Sequence, residues 1–532
     1  MHPDPGGTVT GTALDSNSRL ADWRGAADSA ALASLLALAA VVLRWRGGDL
    51  PGQLFRAELF RRYGFLQWQS QWYGGHSLVT YSVLAPVLLS WLGPVLLGAV
   101  CGVISALLFD RLVRRAFGRA SRLGSLWFAA GTVTNLAVGR VTFALGLTAG
   151  LAALLAALNA RWRLAVLFGV LCPLASPVAG VFLALCAGSR VVARREQRFA
   201  WGSVAMSAAL PIAVIAVVFP ERNLYFPFPA WQLGWDLVVC AALFFAAAPD
   251  LPILRWTAVT YAVVLVATFV VPSPMGQNIS RLGQYAAGPL LVCALRRRRT
   301  VVLALVSAPL LFWQWFPAFD SVAVAGRDPS TRAAYYAPLL DYLVMHPADP
   351  GRIEIPFTQR HWESVYVAVD HPLARGWERQ VDMGYNPSFY DGSLTAESYG
   401  VWLRENAVRY VARPDAPLDK SSKQERMIID AAPSYLHEVW RDSHWVLYTV
   451  DGYHGLVDGP ATLVSMAPEG FSVEVTGTAP VRVRVRASSH WTLGDDQPGC
   501  VDQDADGWVL LRGTGPGRVT VRQTLGGSIC SR

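Results

Sequence analysis

The chain has 532 residues, of which 53% are hydrophobic and only 16% charged, a balance that excludes an ordinary soluble enzyme. Its net charge of +8 could suggest nucleic acid, but the arginines sit at the ends of apolar runs, where they orient a chain in a membrane. No nucleic-acid partner is expected.

Residues 1–26 are polar and predict a disordered cytoplasmic tail. Residues 27–43 form the first apolar run, and with no basic region ahead of it and no cleavage site it reads as an uncleaved span. Residues 49–78 are too polar to cross. Within them, residues 50–62 intersperse Leu50, Leu54, Phe55, Leu59 and Phe60 with arginines, which predicts a helix lying at the interface. Residues 79–92 are apolar but short and are followed by Pro94, so they read as half-inserted or interfacial. The region around Cys101 then runs inward to Arg111, Arg114, Arg115, Arg119 and Arg122. Such clusters mark the cytoplasmic face, as do Arg190, Arg194, Arg195 and Arg198, and the run 296–299.

Residues 123–138 go out and 141–158 return, turning at Gly139 and Arg140. Residues 164–189 lie between two basic clusters but are too few for two full spans, and Pro173 and Pro177 at their middle predict a short hairpin or re-entrant pair. Residues 199–219 exit, 233–248 enter, 254–271 exit, 289–295 with their upstream neighbours enter, and 301–316 exit. The count is about eleven crossings, or about nine if the proline hairpin is re-entrant. Both are odd, so a cytoplasmic N-terminus places the C-terminal part outside a multi-pass plasma-membrane domain spanning residues 27–317.

From residue 318 the composition turns polar. Strands are expected at 352–357, 364–369 and 408–412, with a helix over 395–406 where Ala396, Tyr399, Trp402 and Leu403 share a face; this predicts an extracytoplasmic α/β domain over 318–451. Short alternating strands at 471–475, 481–487, 507–511 and 518–523 predict a β-sandwich over 452–532. Cys500 and Cys530 fall in this outer part, where disulfides persist, and a bridge between them is expected; two unrelated thiols are the alternative. The other five cysteines lie in apolar runs and read as small hydrophobes.

The chemistry-bearing residues gather on the outer face. Asp49 opens the long loop 47–78 at the emerging end of the first span, where a carboxylate could take a proton from an acceptor hydroxyl beside a lipid-linked donor. Trp72, Tyr73 and His76 follow with two glycines, a composition suited to sugar stacking and close backbone approach. A solvated end-of-helix aspartate with an ordinary aromatic belt is the other reading. Arg140, Arg222 and Arg281 are outer-face cations whose planar forks suit a phosphate, and Asn278 shares a polar loop with Arg281. Each arginine could instead snorkel to lipid headgroups. His361, His371 and His444 lack metal-ligand spacing, and Asp502, Asp504 and Asp506 read as a solvated turn.

One span, a long first outer loop opening with an acid, an interfacial helix and the Trp72-Tyr73-Gly74-Gly75 segment resemble the GT-C superfamily of membrane glycosyltransferases, which use polyprenyl-phosphate-linked sugars. More narrowly, residues 49–94, 274–283 and 375–380 resemble actinobacterial membrane proteins related to that superfamily. The resemblance implies a GT-C-like fold and transfer of a sugar from a polyprenyl-phosphate donor to a cell-envelope glycan or lipid acceptor. Asp49 would be the general base or, in metal-using branches, a metal ligand, with Glu58 the next acid. The chain departs from the common pattern: its first motif has one Asp, and the second outer turn offers Arg140 where a second acid is usual. A divalent metal thus lacks the paired acidic motif that would hold it, and no cofactor is assigned. That departure keeps a non-catalytic envelope-glycan assembly or scaffold protein as an alternative. A lipid or glycan transporter (flippase) is another, for which the broken segment 164–189 and Asp236 are the only features and no internal repeat is present.

Overall fold

The computed structural model describes residues 13–221, 224–247, 249, 251–295, 300–347 and 349–530. The basic run 296–299 and Arg222 lie outside the described residues. The N-terminal part is helical: α1 (Ala13–Val42), α2 (Leu50–Tyr63), α3 (Ala85–Phe117), α4 (Arg122–Val138), α5 (Val141–Leu158), α6 (Trp162–Ala175), α7 (Pro177–Ala193), α8 (Arg198–Val218), α9 (Ala230–Ala246), α10 (Pro252–Val270), α11 (Arg281–Leu295) and α12 (Thr300–Arg327). Four of these, α3, α5, α8 and α10, are long and apolar enough to cross a membrane.

Three expectations are corrected here. Of the tail expected over 1–26, residues 13–26 are helical, because extending a helix from a packed segment is far easier than nucleating one, and residues 1–12 lie outside the described residues. Helix α12 runs on to Arg327, so the change of composition at 318 falls inside a helix that carries the bundle into the C-terminal part. The strand expected at 364–369 is instead the helical turn α14 (Glu363–Tyr366). There Trp362 and Tyr366 stack with centroids 5.4 Å apart, an i,i+4 pairing that a helical turn brings together and an extended strand does not.

The bundle's turns sort to two ends. At one, Arg122 pairs with Asp28 at 2.9 Å and Arg115 bonds Asn159. At the other, the Asp49 N–H donates to Val138 O (2.9 Å), Val83 to Leu174 O (2.9 Å) and Phe226 to Ser273 O (3.1 Å). These bonds join the loop after α1 to the α4–α5 turn, the loop after α2 to the α6–α7 break, and the loop after α8 to the loop after α10. The break is at Ser176, which is extended ahead of Pro177 as residues before proline prefer, leaving two short helices. Helix α3 is bent at Gly93, which separates a short arm from the long apolar segment.

The loop 64–84 carries a two-stranded hairpin, β1 (Trp68–Gln69) with β2 (His76–Ser77). Beyond α12 come α13 (Ala333–Met345), β3 (Arg352–Glu354), α14, α15 (Arg379–Tyr385), α16 (Ser388–Asp391), α17 (Ala396–Glu405), β4 (Val408–Pro414), α18 (Lys423–Asp430), β5 (Leu436–Arg441) and β6 (Trp445–Val450). They form one sheet in the order β3-β4-β6-β5, in which β3 and β4 are parallel and the other pairs antiparallel. Thr395 caps α17 in a reciprocal pair with Ser398.

The last strands are β7 (Val457–Asp458), β8 (Ala461–Ala467), β9 (Gly470–Val475), β10 (Val481–Arg486), β11 (Trp491–Leu493), β12 (Cys500–Gln503), β13 (Trp508–Arg512) and β14 (Gly517–Gln523). They make two antiparallel sheets, β12-β13-β10-β7 and β11-β14-β9-β8, over one core of alternating valines such as Val473, Val483, Val509 and Val521. Trp68 of the first loop enters this core, and Glu469 accepts from the Trp68 N–H at 3.1 Å, so the final domain is clamped onto the first loop.

Cys500 and Cys530 form a disulfide that closes a 30-residue separation at the sandwich edge. Replacing both by Ser should lower stability by about 2–4 kcal/mol through the loop entropy regained on unfolding. Thermal melts of the variant with and without reductant check this: the wild type should fall to the variant's midpoint when reduced.

Candidate active site

Two glycines set the site. A Cβ at Gly47 would lie 2.1 Å from the Val138 carbonyl, and one at Gly139, whose φ is +92°, would lie 2.4 Å from the Leu50 nitrogen. Only glycine permits this backbone contact between the first loop and the α4–α5 turn. It places Asp49 beside Arg140, whose Nε donates to Asp49 Oδ2 at 3.3 Å. Arg281, at the start of α11, is within electrostatic reach of both and lies 5.5 Å from the centre of the Phe143 ring.

These residues line a cavity of about 1160 Å³, together with Asn278. At this end of the cavity one carboxylate faces two guanidiniums, a local excess of positive charge, while Glu221 and Glu378 line other parts of the wall. The cavity's other arginines are matched: Arg360 pairs with Asp320 at 2.7 Å and Arg379 with Asp419 at 2.6 Å. The Asp419 carboxyl, despite burial, is held well below its usual range by His361 and Arg379. Toward the bundle the lining becomes apolar, with Val178, Val181, Ile212, Phe312 and Phe316. Trp231 and Phe312 on that side are 73% and 67% exposed.

Of the sequence candidates, Asp49, Arg140, Asn278 and Arg281 therefore meet, although they come from three separate loops. Arg222 lies outside the described residues. Glu58 is not in the cavity wall. It sits on the outer side of α2, paired with Arg61 and Arg62 at 2.8 Å each. Trp72, Tyr73 and His76 are fully buried and offer no ring to a substrate. Trp72 stacks on Phe55 with centroids 3.9 Å apart and donates to Ser364 O at 3.2 Å; the Tyr73 hydroxyl donates to Glu378 O at 2.9 Å. Their role is to seat the C-terminal part on the first loop.

That seating brings in residues that sequence reading missed. Trp377 and Glu378 line the cavity from the far side of the chain, and the Trp377 indole donates to Gly48 O at 3.0 Å, one residue from Asp49. Glu378 is ion-paired with buried Arg56, whose guanidinium lies 3.8 Å from the Tyr81 ring centre. Glu221, from the loop after α8, also lines the cavity and accepts from the Ser77 N–H at 2.8 Å. His76 lies behind both, 3.8 Å from Glu221 and 3.9 Å from Glu378. Burial disfavours its imidazolium, but the two carboxylates outweigh that and raise its pKa above the ordinary value. The segment 375–380 was noticeable as a motif, but its distance along the chain hid its place beside Asp49.

Among the described residues no group of three or more His, Cys, Asp and Glu side chains is arranged to hold a metal ion. No protein-family model matches this chain, and no curated protein matches it.

Proposed function

We propose that this chain is an inverting membrane glycosyltransferase that moves a sugar from a polyprenyl-phosphate donor to a cell-envelope glycan or lipid acceptor. The observation that carries the reading is the one cavity in which Asp49, Arg140, Asn278 and Arg281 converge, polar at the loop end and apolar toward the helices. A donor with a charged phosphate, a sugar and a hydrocarbon tail matches that division. In this reading the apolar helices form about eleven spans. The cytoplasmic arginine clusters mark one face and the cavity opens at the other, with the C-terminal part extracytoplasmic in the plasma membrane.

The reaction follows from the groups present. Asp49 accepts the proton of the acceptor hydroxyl as its oxygen bonds to the anomeric carbon. The bond from that carbon to the phosphate oxygen breaks with its electron pair on the phosphate, and Arg140 and Arg281 hold the charge of the departing polyprenyl phosphate. The Asp49–Arg140 contact positions the base, and an arriving phosphate competes for the same guanidinium.

The test is the purified protein in liposomes supplied with polyprenyl-phosphate-linked mannose, arabinose or glucose and an envelope extract as acceptor. Acceptor-dependent release of polyprenyl phosphate is expected from at least one donor; release from none, by folded protein, contradicts the reading. Arg281→Met should raise the apparent KM for the donor by about 10- to 100-fold, the worth of a charge-assisted hydrogen bond. An unchanged KM in a folded variant removes Arg281 from the phosphate site.

A further inference from the structure

A second cavity, of about 460 Å³, lies where the first loop, the α/β sheet and the sandwich meet. Its size is that of a small-ligand site. Three connections make its wall rigid. The Ser70 hydroxyl contacts Ala467 O and Pro468 O, both at 3.1 Å, the Leu373 N–H donates to Gln71 O at 2.8 Å, and the Gln71 N–H donates to Gln69 Oε1 at 2.8 Å. Gln71 lines the cavity, is only 8% exposed, and its Oε1 has no hydrogen-bond partner among the described residues. A buried amide oxygen left without a donor costs about 1–3 kcal/mol unless a ligand or water supplies one.

The remaining wall narrows the ligand's chemistry. Tyr63 and Tyr410 present aromatic rings. Its carboxylates have partners, Asp349 with Arg409 at 3.5 Å in the wall and Asp370 with Arg62 behind it at 2.6 Å, and His346 and His371 also line it. The paired charges favour no ion, and the wall is mixed, with Leu343, Val344, Ile353, Val369, Leu456 and Met466 standing among the polar groups. Aromatic faces beside amide, carboxylate and guanidinium groups fit a neutral molecule with apolar ring faces and many hydroxyls.

We propose that this cavity is a saccharide-binding site, distinct from the Asp49 cavity, that holds a neutral oligosaccharide on the outer part of the protein. As a hold for the acceptor chain it rests on the transferase reading; as a saccharide site it stands without it. The loop 47–78 joins the two cavities, contributing Asp49 to one and Tyr63, Ser70 and Gln71 to the other.

The test is direct binding of mannohexaose, arabinohexaose and chitohexaose to the full-length protein in detergent, by calorimetry, for the wild type and the variants Tyr63→Ala, Arg409→Ser and Asp49→Asn. Tyr63 is 49% exposed, so its replacement leaves the core intact. At least one hexasaccharide should bind wild type and Asp49→Asn alike and bind Tyr63→Ala and Arg409→Ser about tenfold more weakly. Binding of none, or equal binding by all four proteins, overturns the proposal. No donor is present, so loss of transfer and loss of binding are read separately: binding without transfer in liposomes would count against the transferase reading alone.

Discussion

Asp49→Asn should lower sugar transfer by about 10²–10⁴-fold, the usual contribution of a general base, while the protein remains folded. The two halves of this expectation have separate grounds. Asparagine keeps the shape and an oxygen that can accept from Arg140 Nε, so the cavity wall is retained, but it cannot take up a proton at neutral pH. The fold is insensitive because Asp49 precedes α2 without making a side-chain capping bond, and its side chain is 29% exposed. Its backbone N–H bond to Val138 O, which locks the loop to the α4–α5 turn, is untouched by the change. Initial rates of polyprenyl phosphate release, with a thermal melt of the same preparation, check both halves.

Arg375→Ala should cost about 3–5 kcal/mol of stability, the largest single-residue loss expected in the C-terminal part. Arg375 is fully buried and bonds Asp382 Oδ2 at 2.7 Å and Glu425 Oε2 at 3.3 Å, with Glu354 at 3.9 Å. Phe357 and Phe389 lie with their ring centres 4.0 Å from the guanidinium carbon. Removing it leaves three buried acids without their cation. Burial, and then the charge of Glu425, already holds the Glu354 carboxyl above the usual range, and burial also raises Glu425.

The sign of the pH effect follows from that direction. A carboxyl with a raised folded-state pKa favours the fold fully below the unfolded value of about 4.3, and the advantage is lost as pH rises through the folded value. Without Arg375 the folded values rise further, so the deficit relative to wild type should be larger near neutral pH than in acid. Melts at both pH values decide it; an equal deficit at both would mean that lost packing, not charge, is the cause. Because segment 375–380 carries Trp377 and Glu378 into the cavity wall, transfer should fall with the fold.

These residues also show how far the sequence could be read. Asp49 and Arg140 could be assigned to one face from the order of apolar runs, but their pairing depends on the close approach at Gly47 and Gly139, which the sequence did not reveal. Helix α17 and strands β9, β10, β13 and β14 follow from periodicity that burial then uses, α5 from a continuous apolar run, and β7, β8, β11 and β12 were not anticipated. Periodicity failed where local contacts competed with it, as at Trp362 and Tyr366 in α14. Glu58 was the next acid that the resemblance implied, but α2 turns it toward Arg61 and Arg62. Trp72, Tyr73 and His76 looked like an exposed belt because nothing in their neighbourhood says that residues 364 and 378 cover them. Glu378 was invisible for the same reason: its place beside Asp49 depends on the Trp377 bond to Gly48, a contact across more than half the chain.

The central claim is that Asp49 is the base of a sugar transfer. It is tested most directly by comparing lipid-linked sugars and extracted envelope glycans of a deletion strain with those of strains complemented by wild type or Asp49→Asn. The account predicts that only wild type restores a missing glycan and drains an accumulated donor, with both proteins present at equal level. Equal restoration by Asp49→Asn would contradict it and would turn attention to an assembly or transport role for the same cavity.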